Sequence, residues 1–238
     1  MIAKEQQLLA RVLDLFAQRF DKKAVLRGGM VLRVLGSPRL TNDLDYVFIP
    51  YKSKKDIVEE IVTCLRSIEG ADLDYSLNSK CLRVVLTVDQ TTIQIEAKVA
   101  MDVETTTTST RLFSSQFDLP PRIIHVVDTK VALANKMAAW NERRLVRDIY
   151  DTWFLLQMNA TPDTATLEQR LRKPAYSRLV KKQDYFPGRT CNEFYDFIRA
   201  NVAELSDEQI VDELSDYLPP EEATGLALLF RAALVKLV

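Results

Sequence analysis

The residues of this sequence best suited to chemistry are two aspartates, Asp43 and Asp45, separated by a single leucine. On a β-strand, residues i and i+2 point to the same face, so both carboxylates can hold divalent cations. Two adjacent glycines, Gly28 and Gly29, precede them. A turn without side chains lets backbone N–H groups approach a polyphosphate. Carboxylate-bound cations beside such a turn are the arrangement that two-metal nucleotidyl transfer needs.

The residues between the two motifs predict elements that would position them. The pattern predicts a strand over residues 24–26, a helix over 30–35 that begins directly after the glycines, and a strand over 43–49. A strand, a glycine turn and a helix N-terminus together form an anion site. Either motif alone has a commoner explanation, because paired glycines usually make a plain turn and Asp-x-Asp usually lies on a solvated strand edge or caps a helix.

A third carboxylate, Glu96, is the candidate partner of the aspartate pair. It ends the alternating run Ile93-Gln94-Ile95-Glu96. Burial of both isoleucines would place Gln94 and Glu96 together on the opposite face of the strand. Nucleotidyl transfer on two metal ions uses a further acid on a neighbouring strand to orient the acceptor hydroxyl. Glu96 is therefore predicted to be a third metal ligand, and an exposed polar position on a half-buried strand is the alternative.

A second group of charged residues lies on a helix predicted over residues 130–158. At about 100° per residue, three cations fall on one stripe of this helix, namely Lys136, Arg143 and Arg147. Such a stripe could bind phosphates, with lysine as a point charge and arginine as a bidentate fork. The alternative is a solvated face stabilised by i,i+4 ion pairs. Those pairs would be Arg144–Asp148 and Arg147–Asp151.

The remaining pattern predicts an α+β fold with a mixed β-sheet and flanking helices, followed by an all-helical C-terminal domain. In the first part we expect a helix at the N-terminus and over 53–68, a hairpin over 82–88 and 92–99, a loop over 104–109 and a strand over 123–127. Further on, helices are expected over 167–171, 194–205, 207–217 and 221–238. The predicted boundaries are a core domain over 1–127 and a helical domain over 128–238.

Composition and charge argue against a disulfide-rich, a zinc-binding and a membrane-spanning protein. The 238 residues are 47% hydrophobic with a net charge of −1, so the chain is an ordinary globular protein in which nucleic-acid binding requires a local basic patch. Three widely spaced cysteines fit neither a disulfide framework nor a zinc site, and we expect buried or half-buried thiols in a reducing cytosol. His125 lies in an apolar run and is predicted to be structural. With no apolar span and an amphipathic N-terminal helix, a cytoplasmic protein without membrane contact is expected.

Taken together, the two charged motifs resemble one family, the AbiEii/AbiGii nucleotidyltransferase toxins of the polymerase-β-like nucleotidyltransferase superfamily. The part similar to the family's first motif comprises Gly28-Gly29, Leu32 and Arg39-Leu40-Thr41-Asn42-Asp43-Leu44-Asp45. The part similar to its closing helix comprises Lys136, Ala139, Arg143 and Arg147-Asp148-Ile149-Tyr150-Asp151. Both motifs occur in the family's order. Leu40 and Glu96 depart from the pattern, in which an aromatic residue and an aspartate are common.

The resemblance implies a nucleotidyltransferase-like sheet with a helical domain, acting as the toxin of a toxin–antitoxin pair. It assigns Mg²⁺ or Mn²⁺ to Asp43 and Asp45 and the triphosphate to the two glycines. Lys136 and Asp148 match the family's essential lysine and aspartate. The other motif residues expected to bind substrate are Arg39, Thr41, Arg143 and Arg147. Family members use an NTP and in characterised cases modify tRNA 3′ ends, so an RNA acceptor and an antitoxin are the expected partners.

Two other functions stay open. An aminoglycoside-type enzyme would transfer a nucleotide to a small cationic molecule, which requires an acidic pocket. A catalytically inactive fold would only bind an NTP or a partner protein. A basic cluster in the C-terminal part favours RNA over a cationic acceptor, although a solvated face is the commoner explanation of such a cluster. Its members are Arg170, Arg172, Lys173, Arg178, Lys181 and Lys182.

Overall fold

The computed structural model describes residues 2–188 and 190–237. They fall into two compact units, Met1–Asp128 and Thr129–Val238. Whether these units fold separately, as the predicted domain boundaries imply, stays a prediction. In the described part of the chain, no helix combines the length and the apolar character that crossing a membrane requires.

A seven-stranded mixed sheet forms the centre of the first unit. Its strands are β1 (Ala24–Arg27), β2 (Asp43–Phe48), β3 (Asp72–Leu77), β4 (Leu82–Val88), β5 (Thr91–Val99), β6 (Thr105–Ser109) and β7 (Ile123–Val127). Their order across the sheet is β3-β4-β5-β2-β1-β7-β6. The pairs β2/β5 and β1/β7 are parallel, and the other neighbours are antiparallel.

Helices flank this sheet, namely α1 (Ile2–Phe20), α2 (Gly29–Val34), α3 (Lys55–Arg66) and α4 (Arg111–Ser114), with 3₁₀ turns at Asp21–Lys23 and Ser115–Phe117. The ring of Phe16 in α1 lies 5.1 Å from that of Tyr46 and 6.1 Å from that of Phe48. Both β2 aromatics are buried. Because side chains alternate along a strand, this packing turns Asp43 and Asp45 to the opposite face of the sheet.

Two sheet edges differ from the sequence prediction. Residues 104–109, expected as a loop, contain strand β6, which pairs antiparallel with β7. Strand β3 was not predicted at all. Both strands lie at the ends of the sheet and are largely exposed. Neither therefore carries the buried apolar alternation that marks an inner strand, although the threonines of β6 are β-branched and favour extended backbone.

The second unit is helical. Its helices are α5 (Thr129–Arg143), α6 (Val146–Gln157), α7 (Thr164–Arg172), α8 (Cys191–Ala203), α9 (Asp207–Leu214), α10 (Pro220–Ala223) and α11 (Leu226–Leu234), with a 3₁₀ turn at Lys182–Asp184. They enclose a core that includes Trp140, Tyr150, Phe194 and Phe230. Together the mixed sheet and these helices confirm the predicted fold class.

Two of the predicted helices are each divided in two. The helix expected over 130–158 breaks after Arg143, because Arg144 adopts a left-handed conformation with φ 53°. The guanidinium of Arg144 lies 4.1 Å from the centre of the Trp140 ring, a cation–π contact. The helix expected over 221–238 breaks at Gly225, whose φ of 80° is accessible to glycine without strain.

The cysteines and the histidine occupy structural positions. Cys64, Cys81 and Cys191 are all buried thiols, as predicted. Burial raises the pKa of Cys64 to about 11, so this thiol stays protonated at neutral pH. His125 lies in β7, opposite Val25 and Thr107 of the neighbouring strands.

Candidate active site

Three acidic residues lie on one face of the sheet. In the parallel pair β2/β5, Asp45 lies directly opposite Glu96, and Asp43 lies opposite Gln94. Residues that face each other across a ladder point to the same side of the sheet. Ile93 and Ile95 are buried, as the alternation predicted. The sheet therefore brings the predicted third acid next to the aspartate pair.

An arginine lies at each end of this pair of acids. Arg27 is the β1 neighbour of Asp45, and Arg83 is the β4 neighbour of Glu96. Arg83 donates to Glu96 Oε1 from Nη2 at 2.8 Å and from Nε at 3.2 Å. This hydrogen bond and the charge of Glu96 raise the pKa of Arg83. The result is a row across four strands in which two acids lie between two cations.

Glu96 is oriented by its neighbours. In addition to Arg83, the amide of Gln94 donates from Nε2 to Glu96 Oε1 at 3.1 Å. All these bonds reach the same oxygen of the carboxylate. Oε2 is therefore the oxygen of Glu96 that can face a cation or an acceptor hydroxyl.

The loop before β2 positions Asp43. Thr41 Oγ1 donates to Asp43 Oδ1 at 2.8 Å. Thr41 is buried, and its carbonyl accepts a bond of 2.7 Å from Gln6 Nε2 in α1. Arg39 is also buried, and its Nη1 donates to the carbonyl of Leu40 at 3.0 Å. Arg39 and Thr41, two of the residues predicted to bind substrate, thus lie inside the loop, where their hydrogen bonds hold its conformation.

The two glycines are required by the side chains packed over them. Gly28 has φ 76° and ψ −153°, a conformation found almost only in glycine. A Cβ atom there would lie less than 3.0 Å from Asp45 Oδ2. A Cβ on Gly29 would lie 2.9 Å from both Arg39 Nη2 and Thr41 Oγ1. The predicted turn is present, and it also makes room for the motif residues.

Lys98 was missed by the sequence argument. It follows Glu96 by two residues on β5 and therefore shares its face of the sheet. Its side chain is half-buried. Burial lowers the pKa of Lys98 and the nearby charge of Arg27 lowers it further, whereas Asp45 and Glu96 raise it. The alternation that pointed to Glu96 could have identified this lysine.

The oxygen ligands at Asp43 and Asp45 fit a hard divalent cation. Magnesium in phosphate-handling enzymes is bound by one or two carboxylates together with substrate phosphates and water. Within residues 2–188 and 190–237, no group of three or more His, Cys, Asp or Glu side chains is arranged to hold a metal ion. Asp43 and Asp45 would supply two carboxylates, which is a number that magnesium bound through nucleotide phosphates takes from a protein. Glu96 as a third ligand stays a prediction.

In the second unit, two acids hold two of the predicted cations. Lys136 Nζ lies 2.5 Å from Asp151 Oδ2. Arg143 binds Asp148 through two bonds of 2.6 Å, from Nε and from Nη2. Asp148 thus pairs with Arg143 and Asp151 with Lys136, whereas the i,i+4 alternative named Arg144 and Arg147 as their partners. Donating these hydrogen bonds to Asp148 raises the pKa of Arg143.

The predicted single stripe of cations is divided by the break between α5 and α6. Lys136 and Arg143 belong to α5, whereas Arg147 belongs to α6. Arg147 donates from Nη1 to the hydroxyl of Tyr217 at 2.7 Å. The break is the physical reason for the different pairing, because positions i and i+4 on either side of it no longer lie on one helix face.

The profile described as "Nucleotidyl transferase AbiEii toxin, Type IV TA system" matches residues 7–227 of this chain. The chain belongs to the AbiEii family. This confirms the resemblance found in the motifs, and it makes the protein a nucleotidyltransferase toxin of a type IV toxin–antitoxin system. An NTP substrate and an antitoxin counterpart follow from family membership.

Solved structures share the fold of this AbiEii-family chain. JHP933 from Helicobacter pylori is 14% identical with a TM-score of 0.56, covering 97% of this chain and 90% of its own. MenT4, a nucleotidyltransferase toxin from Mycobacterium tuberculosis, is 17% identical with a TM-score of 0.57, covering 98% and 85%. A putative nucleotidyltransferase from H. pylori matches with a TM-score of 0.56 at 14% identity, covering 98% and 93%. A search of curated proteins gave no match.

Proposed function

We propose that this AbiEii-family toxin transfers a nucleoside monophosphate from an NTP to an RNA acceptor, the 3′ end of tRNA, in a reaction that requires Mg²⁺ or Mn²⁺. The observation that carries this proposal is the cross-strand pairing of Asp45 with Glu96, with Asp43 on the same face of the sheet. It supplies the carboxylates that two-metal nucleotidyl transfer uses.

In this proposal Asp43 and Asp45 hold the two divalent cations, and the hydroxyl of Thr41 fixes the orientation of the Asp43 carboxylate. A divalent cation bound there supplies a Lewis acid for the α-phosphate and lowers the pKa of the attacking hydroxyl. A residue that hydrogen-bonds a metal ligand fixes the orientation of that ligand. Mutation of such a residue typically costs roughly 10–100-fold in metal affinity or activity.

Glu96 orients the acceptor hydroxyl and is its candidate proton acceptor through Oε2, because Arg83 and Gln94 hold Oε1. A positioned general base of this kind contributes roughly 10²–10⁴-fold to a rate. Lys98, on the same face, offers a compact positive charge to the phosphates. The N–H groups of the turn at Gly28 and Gly29 face the β and γ phosphates.

For the second unit we propose that Lys136 and Arg143 neutralise charge on the bound triphosphate. Asp151 and Asp148 then act as positioning residues, since each holds one of the two cations by a direct ion pair. Asp148 is fully buried, so its carboxylate acts through Arg143. Preorganised charges of this kind need no rearrangement when the reaction occurs.

The test uses purified full-length protein, Mg²⁺, total tRNA and each NTP in turn, radiolabelled at the α-phosphate. The variant Asp43→Ala should abolish label transfer while remaining folded, which circular dichroism checks. The control is Asp74→Ala, which removes an aspartate from a second Asp-Leu-Asp-Tyr sequence on the exposed strand β3. It should transfer label like the wild type.

Label in RNA with wild type and Asp74→Ala, and none with Asp43→Ala, would support the proposal and identify the nucleotide. Transfer by Asp43→Ala would contradict the metal assignment. Folded wild-type protein that labels no RNA with any NTP would contradict the RNA acceptor, and the same assay with aminoglycosides would then test a small-molecule acceptor.

A further inference from the structure

Positive charge is concentrated at the end of α7, in the loop that follows it and at the start of the 3₁₀ turn Lys182–Asp184. From residue 169 to residue 183 the sequence has six basic residues and no acidic one. The chain as a whole has a net charge of −1, so this segment is unlike the average surface. A local basic patch is the electrostatic requirement for nucleic-acid binding by a protein of neutral charge.

Two of the six basic residues form ion pairs with acidic residues of the same unit. Arg170 forms an ion pair with Glu142 and donates to the side chain of Asn135 at 2.9 Å. Arg172 pairs with Glu168 at 3.1 Å. The other four basic side chains belong to exposed residues, namely Lys173, Arg178, Lys181 and Lys182. Since the first two arginines serve the fold, these four form the candidate binding surface.

Two large apolar side chains lie among these cations. Tyr176 is 66% exposed and Leu179 is 71% exposed. An exposed aromatic ring between basic residues is the combination used by proteins that bind single-stranded nucleic acid, because bases stack on the ring while the cations contact phosphates. A protein-docking surface would be expected to have fewer charged residues at its centre.

Partly buried hydrogen bonds hold the loop in place. The hydroxyl of Tyr185, a buried residue, accepts a bond of 2.5 Å from Ser177 N. The backbone N of Ala175 donates to Glu142 Oε1 at 3.0 Å. The ring of Tyr176 lies edge-to-face at 4.8 Å from the ring of Tyr185. The loop is therefore preorganised, which reduces the entropy lost when a ligand binds.

We propose that residues 173–182, with Tyr176 as a stacking platform and Lys173, Arg178, Lys181 and Lys182 as phosphate contacts, form the surface that binds a single-stranded segment of the RNA acceptor. This inference rests on the proposed function, and it names the part of the protein that recognises the acceptor. The surface acts on RNA affinity and leaves binding of the NTP unchanged.

The test compares full-length variants that carry intact carboxylates. One is Arg178→Gln/Lys181→Gln/Lys182→Gln, and another is Tyr176→Ala. The control removes the same number of charges from exposed lysines of the first unit, as Lys22→Gln/Lys23→Gln/Lys55→Gln. Lys22 and Lys23 come before β1, and Arg27 of the charged row is the last residue of β1. The control therefore leaves the charged row unchanged. Binding of fluorescent tRNA and of a single-stranded oligonucleotide is measured against salt, together with the KM for tRNA and the Kd for NTP.

The triple variant of the loop should lower the slope of log affinity against log salt by about 2, because each lost contact to a single strand removes roughly 0.7. Tyr176→Ala should weaken binding by roughly tenfold, the loss expected for one stacked base, whereas Tyr176→Trp should retain affinity. The KM for tRNA should rise in parallel, and the Kd for NTP should match that of the wild type.

The alternative outcomes are distinct. Loop variants that bind RNA like the control triple, with normal transfer, would overturn the proposed surface and leave the proposed function intact. Normal RNA kinetics with lost neutralisation by a coexpressed antitoxin would assign the surface to a protein partner and overturn the proposal. A wild-type protein that neither binds nor labels RNA would overturn both.

Discussion

Asp45 of β2 lies directly opposite Glu96 of β5, and the two acids lie between Arg27 and Arg83 in neighbouring strands. Like charges that face each other across a ladder destabilise a sheet. The flanking arginines reduce this repulsion, and a bound cation would reduce it further. The pairing therefore indicates a site built for positive charge, and it makes the role of each acid testable.

The first prediction concerns Glu96. Replacing it by glutamine removes a carboxylate while keeping its shape, so we expect kcat to fall by roughly 100-fold or more with little change in the Kd for NTP. Arg83→Gln keeps the carboxylate and only releases it from the ion pair, so we expect a loss of less than about tenfold. Steady-state kinetics with tRNA separate the two. Full activity in Glu96→Gln would refute its role as third acid.

The second prediction concerns the hydrogen bond from Thr41 to Asp43. Thr41→Val keeps the volume and removes the donor, so activity should fall by roughly 10–100-fold and the Mg²⁺ concentration for half-maximal rate should rise. Thr41→Ser keeps the hydroxyl and should stay close to the wild type. The measurement is a Mg²⁺ titration of the transfer rate. Equal titration curves for the valine and serine variants would show that this bond does not position the carboxylate.

The third prediction concerns Gly28. Gly28→Ala should abolish transfer and lower the free energy of unfolding by about 2 kcal/mol, since the backbone conformation is strained for alanine and the new Cβ would displace the Asp45 carboxylate. Gly225→Ala is the matched control. Gly225 has φ 80° and no atom within 4 Å of an added Cβ, so only about 1 kcal/mol should be lost. Urea unfolding and the transfer assay test both, and a fully active Gly28→Ala would contradict the packing argument.

The fourth prediction concerns Lys98. If its charge binds phosphate, Lys98→Gln should raise the KM for NTP by roughly tenfold, the size of one charge-assisted hydrogen bond, with a smaller effect on kcat. Lys98→Arg keeps the charge and should recover part of the loss. Circular dichroism confirms that each variant is folded. An unchanged KM in the glutamine variant would leave Lys98 with a structural role only.

The fifth prediction concerns the ion pair of Arg143 and Asp148. Arg143→Met would leave a fully buried carboxylate without this partner, so the free energy of unfolding should fall by about 3 kcal/mol. Arg147→Met removes an arginine that bonds the neutral hydroxyl of Tyr217 and should cost about 1 kcal/mol. Equal losses in the two variants, measured by urea unfolding, would show that the buried carboxylate does not depend on Arg143.

The tetrapeptide Asp-Leu-Asp-Tyr shows where local sequence stops being informative. It occurs at residues 43–46 and again at 72–75, in both cases on a strand. Tyr46 is buried, whereas Tyr75 is 47% exposed. The first copy lies inside the sheet with Glu96 opposite, and the second lies on the edge strand with Val85 opposite Asp74. Identical residues therefore have different surroundings, which only the strand order determines.

The sequence by itself determined the elements whose signals are local. The glycine turn, β2, the hairpin of β4 and β5, and the shared face of Gln94 and Glu96 follow from alternation and turn residues, because side-chain direction on a strand depends only on neighbouring residues. The family motifs followed in the same way, since they are short runs of defined residue types.

The tertiary structure alone decided which distant residues meet. The pairing of Asp45 with Glu96 and the row completed by Arg27 and Arg83 depend on strand order and register. At the helix break, the guanidinium of Arg144 also lies 5.0 Å from the centre of the Phe197 ring, a residue far along the chain. Register and packing are set by burial over the whole core, which no local pattern contains. The aspartate pair Asp43 and Asp45 and the candidate acid Glu96 could thus each be found in the sequence. They form one candidate site because the sheet places β5 beside β2.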